Sequence, residues 1–136
     1  MKIWHPKIVR ALPQIDLLVT WRGVAIISKK VLTKQPIPAS NLFIYDYPFD
    51  HFISYSKEIE EELKKRKYSV FPYVFQGIEK LKPDWERIPI EDMYKEIMTN
   101  DYLIDNYNFL MNKYPYEEDI PKFCQTRLNK IMEGLL

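Results

Sequence analysis

The stretch QIDLLVTWRGVAIISKK, residues 14–30, decides the fold of this chain. Its apolar residues recur at spacings of three and four, which is the pattern of one buried stripe on an amphipathic α-helix. The stripe consists of Leu17, Leu18, Trp21, Val24 and Ile27 or Ala25. Arg22 lies off the centre of this stripe, so its guanidinium is free to reach a partner. Lys29 and Lys30 fall in the last turn, where cations complement the helix dipole.

The rest of the chain predicts shorter helices separated by prolines. Pro6 suits the first turn of a helix that runs to about Leu12, because its missing N–H needs no partner there. Lys34 to Pro48 is predicted to cross the surface as an extended connection. Further helices are predicted from Asp50, as the cap, to about Lys67, and over Pro72 to Leu81, Ile88 to Thr99, Asp101 to Tyr114 and Ile120 to Leu136. We therefore predict an all-α fold in which residues 1–136 form a single compact helical domain.

The predicted helix after Asp50 carries a dense run of charges. In EEELKKR, residues 60–66, each glutamate stands four residues before a Lys or Arg, and such pairs stabilise an exposed helix by a few tenths of a kcal/mol each. Phe52, Ile53, Ile59 and Leu63 are expected to face inward. We predict that the charge run is a solvated face.

Composition excludes several classes of protein. Cys124 is the single cysteine, so no internal disulfide forms and nothing demands an oxidising compartment. Charged residues interrupt the apolar residues of the N-terminus, so neither a signal peptide nor a membrane span is predicted, and we expect a cytoplasmic protein. His5, His51 and Cys124 show no metal-ligand spacing. Neither a metal nor a cofactor is predicted.

The charges are unevenly placed along the chain, although the net charge is only +1. Residues 1–50 carry seven Lys or Arg against three acids, and the remainder carries thirteen against sixteen. Phosphate contacts depend on the local field, so a basic face is compatible with a nearly neutral protein.

Three blocks resemble the pyrimidine-dimer DNA glycosylase (endonuclease V type) family. The first is MKIWHPKIVRALPQIDLLVTWR, residues 1–22, which matches in the short leader, the first helical turns, the pair Leu17-Leu18 and Arg22. Residues 51–68 are similar to the family's central helix, and QTRLNKI, residues 125–131, is similar to its C-terminal Arg-Leu and Lys element. The resemblance implies a glycosylase-like helical fold and binding to double-stranded DNA, damaged or intact.

Two departures bear on the reaction that the resemblance implies. The family uses the α-amine of residue 2 as nucleophile and a glutamate at the position after Arg22, whereas this chain has Lys2 and Gly23. A lysine amine must be desolvated to be neutral near physiological pH, since its reference pKa is ~10.4. Asp16 is the nearest carboxylate on the same helix, about 10 Å from Gly23 at ~1.5 Å per residue, and cannot simply substitute. Lys2 and Asp16 are the catalytic candidates, and we expect the standard glycosylase chemistry to be lost.

The resemblance and the charges together give a set of candidate DNA contacts. Trp4 is the candidate wedge for stacking on DNA, and His5 lies near the expected DNA-facing surface, although a local hydrogen bond is the simpler role for it. The full set is Lys2, Trp4, His5, Arg10, Arg22, Lys29, Lys30, Arg127 and Lys130. These candidates are compatible with a DNA-binding protein that has no catalytic activity and with an enzyme whose catalytic groups lie at other positions. The alternative is a helical protein-interaction or self-associating module with no affinity for DNA, and the oligomeric state stays open.

Overall fold

Residues 1–135 are described by the computed structural model, and this part of the chain is built from helices without any strand. The α-helices are α1 (Gln14–Leu32), α2 (Phe49–Lys65), α3 (Pro72–Glu79), α4 (Asn100–Lys113) and α5 (Lys122–Glu133). Short 3-10 helices cover Pro6–Ala11, Ala39–Asp46, Ile90–Asp92 and Glu117–Asp119. The all-α prediction is confirmed, while the predicted end of the last helix at Leu136 lies outside the described residues. None of the helices in residues 1–135 is long and apolar enough to cross a membrane.

The N-terminal segment is part of the core. The Pro6–Ala11 helix packs against α5, α2 and α4, and α1 packs against α2 and α3. The side chains that this segment buries are Ile3, Trp4, Ile8, Val9, Ala11 and Leu12. Burial of a large aliphatic side chain contributes about 1.5–3 kcal/mol, so the first twelve residues hold α2, α4 and α5 together. The start of the chain is thereby fixed beside α1.

Helix α1 has one buried and one exposed apolar face. Leu17, Trp21, Val24 and Ile27 are buried, as their spacing predicts, and the helix runs two residues beyond the predicted end. On the other side the apolar side chains Ile15, Val19 and Ile26 are exposed by 66%, 58% and 55%. An exposed apolar strip on an otherwise well-packed helix marks a surface that can take a partner.

One predicted connection and one predicted helix are wrong, and a proline contributes to each difference. Residues 39–46 form a 3-10 helix where an extended segment was predicted, because extended Pro38 precedes a turn that buries Asn41 and Ile44. The helix predicted over residues 88–99 is reduced to Ile90–Asp92. Pro89 is extended, and Tyr94 has a φ of 48°, which ends any helix there.

The charge run of α2 is not a solvated face, so that prediction is also wrong. Glu60 and Glu62 are 2% and 1% exposed, and they bind Lys64 and Arg66 respectively. Asp50 is not the cap of α2, since Pro48 occupies that place. The Asp50 carboxylate instead accepts hydrogen bonds from the Lys82 ammonium at 2.6 Å and the Glu86 N–H at 2.8 Å. The bond from Lys82 is the main reason why the pKa of Asp50 lies below its ordinary value.

Candidate nucleic-acid interface

A groove of ≈ 480 Å³ runs along α1, and we call it the α1 groove. The start of the chain and one face of α4 form its walls, and most of its surface is apolar. The lining residues are Met1, Lys2, Trp4, Asp16, Val19, Thr20, Arg22, Gly23, Ile26, Ile27, Lys30, Pro38, Phe109 and Lys113. These residues are scattered over the sequence, so only the tertiary fold brings them together. A volume of this size is typical of ligand sites.

Three cationic side chains of the groove have no carboxylate partner within residues 1–135. They belong to Lys2, Arg22 and Lys30, none of which forms an ion pair there. Arg22 and Lys30 are eight residues apart on α1, which corresponds to about 12 Å along the helix axis. The groove therefore combines an apolar lining with three cations that form no ion pair within residues 1–135.

The Lys2 ammonium lies on aromatic rings at one end of the groove. Its Nζ atom is 4.9 Å from the centre of the Trp4 ring and 4.6 Å from the centre of the Phe109 ring. Partial burial lowers the pKa of Lys2, and the charge of Asp105 opposes that shift. The direction of the shift is the one that makes an amine more nucleophilic.

Gly23 makes room for the side chain of Met1. A Cβ atom built on Gly23 would lie 2.3 Å from Sδ and 2.5 Å from Cγ of Met1, which is closer than any real contact. Asn41 fixes the same residue, because its Oδ1 accepts from the Met1 amine at 3.0 Å and its Nδ2 donates to the Met1 carbonyl at 2.7 Å. The space that a longer side chain at position 23 would need is therefore occupied by Met1.

We expect the substitution Gly23→Ala to displace the side chain of Met1, so it should stabilise the protein less than a glycine-to-alanine substitution at an open helical site. The better helix propensity of alanine contributes roughly 0.5–1 kcal/mol, and the displaced contacts of Met1 offset it. The matched control is Gly77→Ala in α3, where a new Cβ meets nothing within 4 Å. Urea unfolding and the NMR signal of the Met1 methyl group test the pair: equal stabilisation by both substitutions, with an unchanged methyl signal, contradicts the expectation.

Asp16 lines the groove, but both of its carboxylate oxygens are already engaged. Oδ1 accepts from the Lys113 ammonium at 2.6 Å and Oδ2 accepts from the Tyr114 hydroxyl at 2.6 Å. Burial, followed by the contact with Asp16, raises the pKa of Tyr114 and keeps its proton on the hydroxyl. Asp16 therefore joins α1 to the end of α4, and in this arrangement it has no free oxygen for proton transfer.

Trp4 and His5 are largely buried, so neither side chain projects from the surface as the sequence-based assignment to DNA contacts expects. Each is only 4% exposed. The indole N–H of Trp4 donates to the Thr20 hydroxyl at 3.1 Å, and the backbone N–H of Trp4 donates to the Tyr55 hydroxyl. The His5 ring accepts from the Lys7 N–H, which is the local hydrogen bond that its sequence context predicts. Trp4 instead forms a wall of the groove, edge-on to Phe109 with ring centres 5.6 Å apart.

Arg10 and Arg127 are engaged in ion pairs, so neither is the unpaired cation that its place in the sequence suggests. Arg10 donates two hydrogen bonds to the carboxylate of Glu58, at 3.2 and 3.1 Å, and a third to Glu61. Arg127 binds Glu62 at 2.8 Å and also donates to the Arg10 carbonyl. Arg87 completes the cluster on Glu58 and Glu61. These guanidiniums hold the N-terminal segment, α2 and α5 together.

The remaining predicted contacts, Lys29 and Lys130, are exposed but lie apart from the α1 groove. Lys29 does not line it, and Lys130 lies on α5 beside Arg127. Sequence reasoning missed Phe109 and Lys113, which form the α4 wall. Phe109 is 46% exposed. Its neighbour Leu110 is buried, and the spacing pattern of α4 gives no sign that one of two adjacent apolar residues faces a groove.

Comparison of the chain with protein-family models, with curated proteins and with solved structures gives no match. What the groove can do therefore follows from its residues. Within residues 1–135 no group of three His, Cys, Asp or Glu side chains is placed to hold a metal ion. The groups that the groove presents to a ligand are cations, an amine and an apolar surface.

Proposed function

We propose that this protein binds double-stranded DNA through the α1 groove and lacks the standard glycosylase chemistry. The observation that carries the proposal is the set of three unpaired cations, Lys2, Arg22 and Lys30, around a largely apolar groove. Cations of this kind bind phosphates and release counterions, which is the main source of affinity for DNA. We also propose that the helical fold is a divergent form of the endonuclease V type, as the N-terminal block of residues suggests.

The apolar and aromatic lining of the groove favours contact with an unstacked DNA base in addition to the phosphate backbone. Phe109 and the edge of Trp4 offer an aromatic surface, and Val19 and Ile26 extend it along α1. Every base has a face that stacks on such a surface, so this contact is independent of sequence. The polar atoms of Asp16 and Thr20 are satisfied internally and do not read base edges. We therefore expect binding with little dependence on base identity.

The lack of an available carboxylate supports the loss of base excision. Stabilisation of the sugar cation and proton transfer both need a carboxylate next to the reacting carbon. Gly23 supplies none, Met1 fills the space above it, and Asp16 is held by Lys113 and Tyr114. Lys2 alone retains part of the chemistry, since a partly desolvated amine can attack an aldehyde that is already present.

We expect DNA affinity to fall as the salt concentration rises, by the amount that corresponds to three contacts between cations and phosphates. The slope of log K against log salt is then about −2.7, or a loss of about 40-fold between about 50 and about 200 mM salt. The double variant Arg22→Gln/Lys30→Gln should flatten the slope to about −0.9. Fluorescence anisotropy of a labelled duplex measures both quantities. Arg127 is unsuitable for this test because its removal also breaks the contact with buried Glu62.

The matched control is the double variant Lys95→Gln/Lys122→Gln. Both lysines are exposed and line none of the cavities described here, and the change in net charge is the same. Its salt slope should equal that of the wild type. Equal slopes for the groove variant and the wild type would remove the groove from DNA binding, and a wild type without DNA affinity would remove the proposed function.

The second candidate is a protein-interaction or self-associating module, and the exposed strip of α1 favours it. Ile15, Val19 and Ile26 offer an apolar surface that needs no charge to bind. In that case the protein forms a salt-insensitive homodimer or complex without DNA affinity, and Val19→Asp/Ile26→Asp dissociates it. Light scattering after size-exclusion chromatography, at low and high salt, separates this candidate from DNA binding.

A further inference from the structure

A second cavity, distinct from the α1 groove, lies between the Pro6–Ala11 helix, α2 and α5, and we call it the basic cavity. Its volume is ≈ 350 Å³, and it shares no residue with the α1 groove. The charged side chains that line it are Lys7, Arg10, Glu62, Lys65, Arg127 and Lys130. Five cations therefore surround one carboxylate, and they come from three different elements of the fold.

The arginines of the basic cavity are fixed in place by their partners on α2. Glu58 binds Arg10 with both oxygens, and Glu62 binds Arg127 at 2.8 Å. Burial alone would raise the pKa of Glu62, but the bonds from Arg66 and Arg127 outweigh it and leave the pKa below its ordinary value. Glu62 thus stays ionised, and the hydrogen bonds to Glu58 and Glu62 hold the two guanidiniums as a rigid wall.

The three lysines, in contrast, have no counterion among residues 1–135. Lys7, Lys65 and Lys130 are exposed, and none of them contacts a carboxylate within residues 1–135. Solvent screens the repulsion between these exposed ammonium groups, so all three remain charged around one open cavity and are available to an anion. The uncompensated charge of the cavity therefore resides on lysines from three separate elements.

We propose that the basic cavity binds an anion with several phosphoryl groups, held by Lys7, Lys65 and Lys130 against the wall of Arg10 and Arg127. A compact ammonium is a point charge suited to phosphate oxygens from different directions. Three ammonium groups match a polyphosphate or adjacent backbone phosphates better than a single carboxylate, which carries one charge. The site goes beyond the proposed function because it needs none of the residues of the α1 groove.

Tripolyphosphate is the probe for this site, titrated into ¹⁵N-labelled full-length protein and followed by amide chemical shifts and calorimetry. Shifts are expected around Lys7, Lys65 and Lys130. The triple variant Lys7→Gln/Lys65→Gln/Lys130→Gln should bind about 30-fold more weakly, at roughly threefold per partly exposed ammonium. All three lysines are exposed, so the variant is expected to fold, and circular dichroism verifies it.

The control variant Lys80→Gln/Lys95→Gln/Lys122→Gln removes three exposed lysines that line neither the α1 groove nor the basic cavity. It should bind tripolyphosphate within about twofold of the wild type if the site is local rather than a result of net charge. An equal loss in both triple variants overturns the proposal, as does wild-type protein that shows neither heat nor shifts around the three lysines.

A second experiment adds a short DNA duplex and distinguishes the phosphates of a nucleic acid backbone from a free polyphosphate. Competition between the duplex and tripolyphosphate identifies the bound groups as those of a nucleic acid backbone, whereas tripolyphosphate binding without competition identifies a free polyphosphate. Both outcomes support the site. The variant Arg22→Gln/Lys30→Gln should leave tripolyphosphate binding unchanged. A wild-type protein that binds tripolyphosphate but has no affinity for DNA contradicts the proposed function and leaves the basic cavity in place.

Discussion

The substitution Glu62→Gln is expected to lower the free energy of unfolding by about 3 kcal/mol, the lower end of the range for removing one partner of a buried ion pair. Glu62 is 1% exposed and accepts from Arg66 at 2.8 Å and from Arg127 at 2.8 Å. Glutamine has nearly the same volume, so the effect reports on charge and hydrogen bonding rather than on a cavity. Urea unfolding followed by circular dichroism measures it, with an unchanged m-value as the sign that two-state unfolding is preserved.

The neighbouring Glu61 is the matched control for Glu62. It binds two arginines as well, Arg10 and Arg87, but its side chain is 38% exposed. Glu61→Gln should therefore cost less than about 1 kcal/mol, since exposed ion pairs contribute little. If the two substitutions cost the same, burial is not what makes the Glu62 contact strong, and the explanation is wrong.

The dependence on pH gives a second check on Glu62. Its pKa is lowered in the folded protein, so its contribution is present above the unfolded value, which is ~4.3 for glutamate. The contribution is lost as the pH falls through the lower, folded pKa, because the folded state then also takes up the proton. The difference in stability between the wild type and Glu62→Gln should therefore be constant above about pH 6 and should shrink below about pH 4.

The sequence predicts helix α1 and the exposure of Arg22 because both depend on local periodicity. The spacing of Leu17, Trp21 and Val24 specifies which side of the helix is buried, and Arg22 must then lie elsewhere. The same reasoning fails for Arg10, whose partners Glu58 and Glu61 are 48 and 51 residues away. A basic residue near the N-terminus looks like a free contact until the tertiary fold places a carboxylate beside it.

The burial of Trp4 was equally inaccessible to sequence reasoning. An aromatic residue in a short leader before Pro6 has no periodic neighbours that assign it to a face. Its place is decided by distant groups, namely the Thr20 hydroxyl, which accepts from the indole, and the Tyr55 hydroxyl, which accepts from the backbone. The groove shows the same limit, since Phe109 and Lys113 join Arg22 from a helix almost ninety residues away.

A duplex that contains a pyrimidine dimer is expected to give no covalent adduct with this protein under borohydride. Attack on the sugar requires departure of the base, and no carboxylate of the groove is free to assist it. Both oxygens of Asp16 are bound within 2.6 Å, and position 23 has no side chain. Denaturing electrophoresis of the borohydride-treated mixture, with undamaged duplex as reference, measures the adduct. A dimer-specific adduct would show that another carboxylate has taken over the reaction.

A duplex with a preformed abasic site separates base removal from amine attack, because it already presents an aldehyde. The Lys2 amine adds to the aldehyde carbon, water leaves as the imine forms, and borohydride reduces the imine to a stable secondary amine. Partial burial lowers the pKa of Lys2, which increases its neutral fraction, while the Met1 amine donates a hydrogen bond to Asn41. We therefore expect an adduct with abasic DNA but not with dimer DNA.

Lys2→Arg is the decisive variant for this second reaction, because arginine keeps the positive charge at the end of the groove but is not nucleophilic near neutral pH. Duplex affinity should change by less than about threefold, the effect expected of one exposed charge, while trapping on abasic DNA should fall at least about tenfold. The two readouts are independent, since affinity reports the groove and trapping reports the amine. Trapping that persists in Lys2→Arg assigns the reaction to a different amine, whereas a parallel loss of affinity and trapping assigns Lys2 to phosphate binding alone.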